Sequence, residues 1–260
     1  MKSDYLVVDG IAKRYRTARG DVIEAVRRFS LTVRQGEFVA LVGPSGCGKS
    51  TLLKIVAGVV PSDEGRISVA GRPVGAPGKG GEGAKIGMVF QKPSLFPWQT
   101  LLGNVLAPIR LMGQSVKPYE ARARELLGMV GLEGFEHRYP HELSGGMQQR
   151  VSICRALIHD PDVLLMDEPF AALDAMTRDQ LNIQLANIWE TSRKTILFVT
   201  HNIQEAVFLA DRVVVLGPRP SVILDEVDVH LPRPRTIPMR TEKSFGELTL
   251  RIYRHFGFSG

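Results

Sequence analysis

Gly43-Pro44-Ser45-Gly46-Cys47-Gly48-Lys49-Ser50-Thr51 is the stretch on which the reading of this chain turns. It meets the spacing G-x-x-x-x-G-K-S/T of a phosphate-binding loop in full, and its flanks supply the context which that spacing requires. The apolar run Glu37 to Val42 reads as a buried strand, and Ser50 to Val56 reads as a helix ending at Gly58. A loop between a strand and the first turn of a helix aims successive backbone N–H groups, and the positive end of the helix dipole, at a single point. Lys49 then reaches the β- and γ-phosphates of a nucleoside triphosphate, and the Ser50 hydroxyl offers an oxygen to Mg²⁺. All nine residues are assigned to the nucleotide site.

Working outward, residues 5 to 42 alternate or run apolar, with turn residues at Arg19-Gly20-Asp21 and Gln35-Gly36. That pattern predicts an antiparallel hairpin feeding the strand of the loop. Gly65 to Gly71 reads as a short strand. Gly75 to Gly83 reads as a loop without phosphate-loop spacing and without a binding role, and Ile86 to Phe90 as a strand. From Thr100 to about Cys154 the spacing turns helical, with Leu101, Leu102, Val105 and Leu106, then Leu126, Leu127 and Val130 on one face. Val163 to Met166 and Thr195 to Val199 are short apolar runs on either side of a helix over Thr177 to Arg193. This is the βαβ pattern of a parallel sheet covered on both faces. Val213 to Leu216 adds a strand, and Phe245, Leu248, Ile252 and Phe256 recur at the spacing of a docked C-terminal helix.

The composition is that of a folded protein, with 44% apolar and 23% charged residues in a chain of 260. No stretch approaches the ~20 apolar residues of a membrane span, and Met1 to Tyr5 begins without a signal-peptide core. The expected location is the cytosol. Cys47 and Cys154 lack zinc-type spacing and suit a reducing compartment; within the phosphate loop, Cys47 reads as a tolerated small residue. The net charge of +6 is spread over Arg14, Arg16, Arg27, Arg28, Arg122, Arg124 and the Arg233 to Arg240 region. With no dense basic run, the charge reads as a solvated surface, and no nucleic-acid partner is expected.

A phosphate loop by itself leaves kinases, GTPases, helicases and transport ATPases open. Leu143-Ser144-Gly145-Gly146-Met147-Gln148-Gln149-Arg150 resembles the LSGGQ signature of the ATP-binding cassette (ABC) family, with Met147 where glutamine is commonest. Ser144 and the two glycines stand where a helix would begin, able to present a hydroxyl and N–H groups to a phosphate. The resemblance implies that Ser144, Gly145, Gly146, Met147 and Gln148 contact the ATP held by a second subunit. Two cassettes then enclose two nucleotides, so a homodimer is expected.

Downstream, Val163-Leu164-Leu165-Met166-Asp167-Glu168-Pro169 has the form of a Walker B motif, four apolar residues followed by two carboxylates at a strand end. Asp167 is expected to hold Mg²⁺ and Glu168 to orient and deprotonate the attacking water. Asp174, in Ala172-Leu173-Asp174, stands at the family's D-loop, which couples the two sites, and reads equally as a helix N-cap. His201 matches the switch histidine that touches the γ-phosphate, although Asn202 follows where the family usually has Asp. Gln91 corresponds to the Q-loop glutamine, an oxygen ligand for Mg²⁺ or water at the start of the helical lobe. Tyr15 is the candidate for stacking on adenine.

The resemblance covers nearly the whole chain and implies an ABC ATPase fold, α/β, with an antiparallel β subdomain and an inserted helical subdomain. Residues 1–91 are expected to form the first part of the core, 92–155 the helical subdomain, 156–235 the second part of the core and 236–260 a helical tail. The segment Gln91 to Trp98 looks like that of nitrate, sulfonate and taurine importers, as do Thr177 to Leu181 and Glu205 to Pro220. Leu231-Pro232-Arg233-Pro234-Arg235 resembles the closing element of that subgroup, or else is a Pro-Arg linker. Leu95, Phe96 and Trp98 line a groove for a permease helix, or else belong to the core.

The expected function is ATP hydrolysis for an importer, on the cytoplasmic face of the cell membrane, with ATP and Mg²⁺. The implied partners are a second copy, a membrane permease and an extracytoplasmic substrate-binding protein. The alternatives are an ABC subunit for lipid trafficking or export, and an ABC ATPase acting on DNA or ribosomes.

Overall fold

The computed structural model describes residues 4–17, 19–74 and 84–257; the glycine-rich run over 75–83, read above as a loop, lies outside them. Strands β1 (Asp4–Arg16) and β2 (Val22–Arg34) form the expected hairpin, and β3 (Phe38–Val42) leads through the phosphate loop into α1 (Lys49–Val56). β4 (Glu64–Val69), β5 (Arg72–Pro73) and β6 (Ile86–Val89) follow. The helical stretch is α2 (Leu101–Val105), α3 (Ala107–Leu111), α4 (Glu120–Met129) and α5 (Gly145–Leu157). Then come β7 (Val163–Asp167), α6 (Ala175–Ser192), β8 (Thr195–Thr200), α7 (Ile203–Leu209), β9 (Arg212–Leu216), β10 (Ile223–Asp228) and α8 (Lys243–Arg254). Among the described residues no helix is long and apolar enough to cross a membrane.

Two sheets result. One is antiparallel, in the order β2-β1-β4-β5; the other has six strands in the order β10-β9-β3-β8-β7-β6, parallel except for the edge strand β10. The parallel strands are covered on both faces, which is why they read as unbroken apolar runs. In β3 the alternation divides the core. Phe38, Ala40 and Val42 join the cluster built with the helices from α2 onward, whereas Val39 and Leu41 join the cluster built with α1 and the antiparallel sheet. The phosphate-loop strand is thus clamped from both sides, and the carboxyl ends of β3, β6, β7, β8 and β9 open at one edge.

Strand β10 escaped the sequence reading. Its Asp225, Glu226 and Asp228 are poor strand formers, and only Val227 of the strand is fully buried. The C-terminal helix appears as expected, with Phe245 and Ile252 buried and α8 packed on α7.

The segment Leu231 to Arg235 is not a loose linker. Arg235 is 4% exposed, and its Nη1 donates to the carbonyls of Val207 (3.0 Å), Phe208 (3.1 Å) and Ala210 (2.7 Å) at the end of α7. Those carbonyls are the ones a helix terminus leaves without partners. Arg233 donates to the Leu209 carbonyl (2.7 Å) and the Asp211 carboxylate (2.9 Å), and its guanidinium lies 4.1 Å from the Trp189 ring centroid. Burial pulls the Arg235 pKa down to about 10, which leaves the side chain charged at neutral pH. Replacing Arg235 with Ala strands three buried carbonyls. Arg235→Ala is therefore expected to lower the unfolding free energy in denaturant titration by ~3 kcal/mol, and a loss under ~0.5 kcal/mol, the range of an ordinary surface change, would refute the clamp.

Candidate functional site

Helix α1 starts at Gly48, whose φ of 114° belongs to glycine and which provides no side-chain cap. A Cβ here would stand 2.5 Å from the Ala25 carbonyl oxygen and 2.5 Å from Ser221 Oγ. No side chain caps the N–H groups of the first turn, and Gly48, Lys49, Ser50 and Thr51 line a cavity, the arrangement that suits an anion. Lys49, 4% exposed, donates its ammonium protons to the carbonyls of Gly43 (2.8 Å) and Pro44 (3.0 Å) across the loop.

The next residue reaches across the sheet. Ser50 Oγ donates to Asp167 Oδ1 at 2.8 Å, joining α1 to the carboxyl end of β7. Burial pushes the Asp167 carboxyl above its ordinary range, the Ser50 bond opposes this, and the neighbouring Glu168 carboxylate adds to the rise. Adjacent strand residues normally face opposite ways. Here the chain leaves β7 with Glu168 at φ 44°, a left-handed conformation costing ~1–2 kcal/mol for a residue with a Cβ. That turn brings both carboxylates to one site. The Glu168 N–H is fastened to the Val199 carbonyl at 2.9 Å, and its Oε2 lies 2.9 Å from Nδ1 of His201.

His201 follows β8 and keeps half of its side chain in solvent. Its turn is held from beneath by a residue the sequence reading missed. The buried Glu205 accepts the Thr200 hydroxyl proton, Thr200 Oγ1 accepts the Asn202 N–H at 3.0 Å, and Asn202 Oδ1 caps α7 through the Glu205 N–H at 3.1 Å. Burial pushes the Glu205 carboxyl pKa up. Its signal in the sequence was a carboxylate in the first turn of a helix, which looks like an ordinary solvated N-terminal charge.

Above the loop is a cavity of about 380 Å³ lined by Tyr15, Ile23, Ala25, residues of the phosphate loop, Glu168 and Arg219. Tyr15 is thus brought to the candidate site. Ile23, Ala25 and Arg219 were not foreseen, because sequence distance conceals that the β1–β2 hairpin and the β9–β10 turn meet the loop. Cys47 is buried beneath it, and Cys154 lies in the core, where burial raises its thiol to about 12. Gln91 is exposed just beyond β6 and does not line this cavity.

The signature segment lies elsewhere. Ser144 caps α5 by accepting the Met147 N–H (3.3 Å), Met147 packs against the core, and the Gln148 amide donates to the carbonyls of Pro140 (3.0 Å) and Leu143 (3.3 Å). Asp174 caps α6 through the Thr177 N–H at 3.0 Å, and the Thr177 side chain, with this backbone bond second, holds its carboxyl below the usual range. The two helix starts are in contact: a Cβ on Gly146 would lie 2.6 Å from Thr177 Cγ2, while Gly145 stands against Leu173.

Gly146→Ala is expected to destabilise the protein by ~1–3 kcal/mol, and adding Thr177→Ser, which removes the methyl but keeps the hydroxyl, should recover most of that; additive losses in the double-mutant cycle would refute the contact. An acid whose folded pKa is raised loses stability as pH climbs from the unfolded carboxyl value, ~3.9, through the folded one. Asp167→Asn is therefore expected to raise the nucleotide-free thermal midpoint at pH 8 above that of wild type. That gain should fade towards pH 4, and a pH-independent gain would contradict burial as the dominant cause.

The profile described as ABC transporter matches residues 26–171, a span holding the phosphate loop, the signature segment and the two carboxylates. An aliphatic sulfonates import ATP-binding protein, SsuB, of Bacillus cereus is 42% identical over 253 residues, covering 97% of this chain and 96% of its own. A taurine import ATP-binding protein, TauB, of Rhizobium johnstonii is 44% identical over 228 residues, covering 88% and 85%. Among solved structures, the dimeric form of MJ0796, a bacterial ABC transporter cassette, superposes with a TM-score of 0.74 at 32% identity, over 87% of this chain and 100% of that one. A post-hydrolysis state of the same cassette bound to ADP and Pi aligns with a TM-score of 0.73. Site geometry, profile and near-full-length relatives converge, and the chain belongs to the ABC transporter family.

Proposed function

We propose that this chain is the ATP-hydrolysing subunit of an ABC importer for a small anionic solute of the sulfonate, taurine or nitrate class. The observation that carries the hydrolytic reading is the Glu168 to His201 contact of 2.9 Å at a cavity floored by the phosphate loop. In this reading Glu168 Oε2 accepts a proton from the water that attacks the γ-phosphate, and His201, held through Nδ1, steadies that water. Lys49 neutralises charge on the β- and γ-oxygens, and the N–H groups of the first turn of α1 cradle the phosphates. Tyr15 stacks on the base. Gln91 acts from beyond β6 as the element that senses the γ-phosphate.

The residues present fit Mg²⁺. The buried Asp167 carboxylate and the Ser50 hydroxyl bonded to it are two hard oxygen donors at the edge of the phosphate loop. Mg²⁺ takes few protein oxygens and keeps substrate phosphates and water as its other ligands. Ser50 and Asp167 would hold it, and bound there it supplies positive charge to the β,γ-phosphate oxygens.

The importer reading draws on the relatives named above. Ser144 and the glycines after it, remote from this chain's own cavity, are surfaces for the nucleotide of a second copy, with Asp174 between the two sites. A groove of about 440 Å³ lined by Met88, Phe90, Phe96, Pro108 and Leu111, with Trp98 70% exposed nearby, suits a short apolar permease helix. The permease places the cassette on the cytoplasmic face of the membrane, and a substrate-binding protein delivers the solute from outside.

The test combines uptake with chemistry. In a strain lacking the gene, uptake of taurine, alkanesulfonates or nitrate should be lost and return with wild type but not with Glu168→Gln. The purified Glu168→Gln protein should bind ATP yet hydrolyse it ~10²-fold or more slowly, whereas Lys49→Ala should weaken binding itself. Unchanged uptake of all three solutes would reject the importer assignment, and near-normal turnover by Glu168→Gln would reject the base.

A further inference from the structure

The turn joining β9 to β10 returns to the phosphate loop. Ser221 is fully buried; its hydroxyl donates to the Cys47 carbonyl, and its N–H donates to the Ala25 carbonyl at 3.3 Å. Because Gly48 has room for no Cβ against Ser221 Oγ, turn and loop are packed as one unit. Two residues upstream, Arg219 is exposed and lines the same cavity as Tyr15, Gly46 and Lys49. Lys49 and Arg219 are the two cations among the lining residues. Lys49 is already bonded to the loop's own carbonyls, whereas Arg219 makes no hydrogen bond, ion pair or ring contact among the described residues. Arg212, Arg233 and Arg235, at the other end of β9, are all engaged within the chain.

Strand order decides which end of a ligand Arg219 meets. In the sequence β9-β3-β8-β7, the carboxylate and histidine come from the β7 and β8 side of the phosphate loop, and Arg219 comes from the β9 side. The hairpin carrying Tyr15 and Ile23 borders that same side, since Ala25 and Val26 meet Ser221. We propose that Arg219 is a nucleotide-binding residue whose guanidinium engages the base, ribose and α-phosphate end, the part that ATP and ADP share. The inference rests on the reading of this cavity as the ATP site. A planar guanidinium suits both a phosphate oxygen and the face of a purine. A contact retained from substrate to product stabilises ground state and transition state alike, so it acts on affinity and not on the chemical step.

The test is calorimetric titration of the full chain with ADP and with β,γ-imido-ATP, beside steady-state hydrolysis, for wild type, Arg219→Ala and Arg219→Lys. Arg219→Ala should raise both dissociation constants by the same factor, ~5- to 20-fold for one charge-assisted contact, and raise KM in step while kcat moves less than twofold. Affinity kept by Arg219→Lys assigns the contact to the α-phosphate charge; affinity lost assigns it to the planar group over the base. Ser221→Ala, which loosens the turn, should lower both affinities with Arg219 intact. Unchanged dissociation constants in Arg219→Ala, or a rise confined to the triphosphate analogue, would overturn the proposal while the ATP site stands. Wild-type protein binding neither nucleotide would overturn the ATP-site reading and the proposal with it.

Discussion

The start of helix α1 is the constraint to which the rest of the architecture answers. Gly48 is held between the Ala25 carbonyl and the Ser221 hydroxyl at a separation no side chain tolerates, and the helix that follows has no side-chain cap. Its N–H groups are therefore left to whatever occupies the cavity. Keeping such a helix end open while burying the strand before it requires cover from both faces. The antiparallel sheet provides one face and the helices from α2 onward the other, which is why β3 distributes its side chains between two apolar clusters.

Around that opening the chain accepts unfavourable local states. Asp167 is buried beside a second carboxylate, and Glu168 adopts a left-handed backbone. Such states persist where surrounding structure over-determines them. Here the Ser50 hydroxyl, the Val199 carbonyl and the His201 ring supply that support. Glu205 works one layer further back: through Thr200 and Asn202 it shapes the turn that carries His201.

Some of the positive charge is likewise internal. Arg212 ties β9 to Glu37, Glu226 and the Thr32 carbonyl, and Arg233 and Arg235 close the end of α7 while stacking and bonding within the core. Arg233 and Arg235, which read from the sequence as part of a solvated surface, are structural donors whose fork satisfies several acceptors at once. Against that background an arginine left free beside a phosphate-binding helix start stands out.

What the sequence determined by itself was everything carried by short-range spacing. The phosphate loop with its strand and helix, the buried runs of β7, β8 and β9, the paired Asp167 and Glu168, and the capped start of α5 at Ser144 all lie within a few residues of their own signals. Local hydrogen bonding and side-chain period act over that same range. Tertiary structure decided what depends on strand order and on chain returning from afar. The pairing of Ser50 with Asp167, the seat of His201 on Glu168, the burial of Arg235, the edge strand β10 and the arrival of Arg219 and Ser221 at the loop join residues 25 to 196 positions apart or more weakly patterned than their neighbours. No local pattern encodes such contacts, because their free energy comes from the packing of two clusters against one sheet and exists only once that sheet has formed.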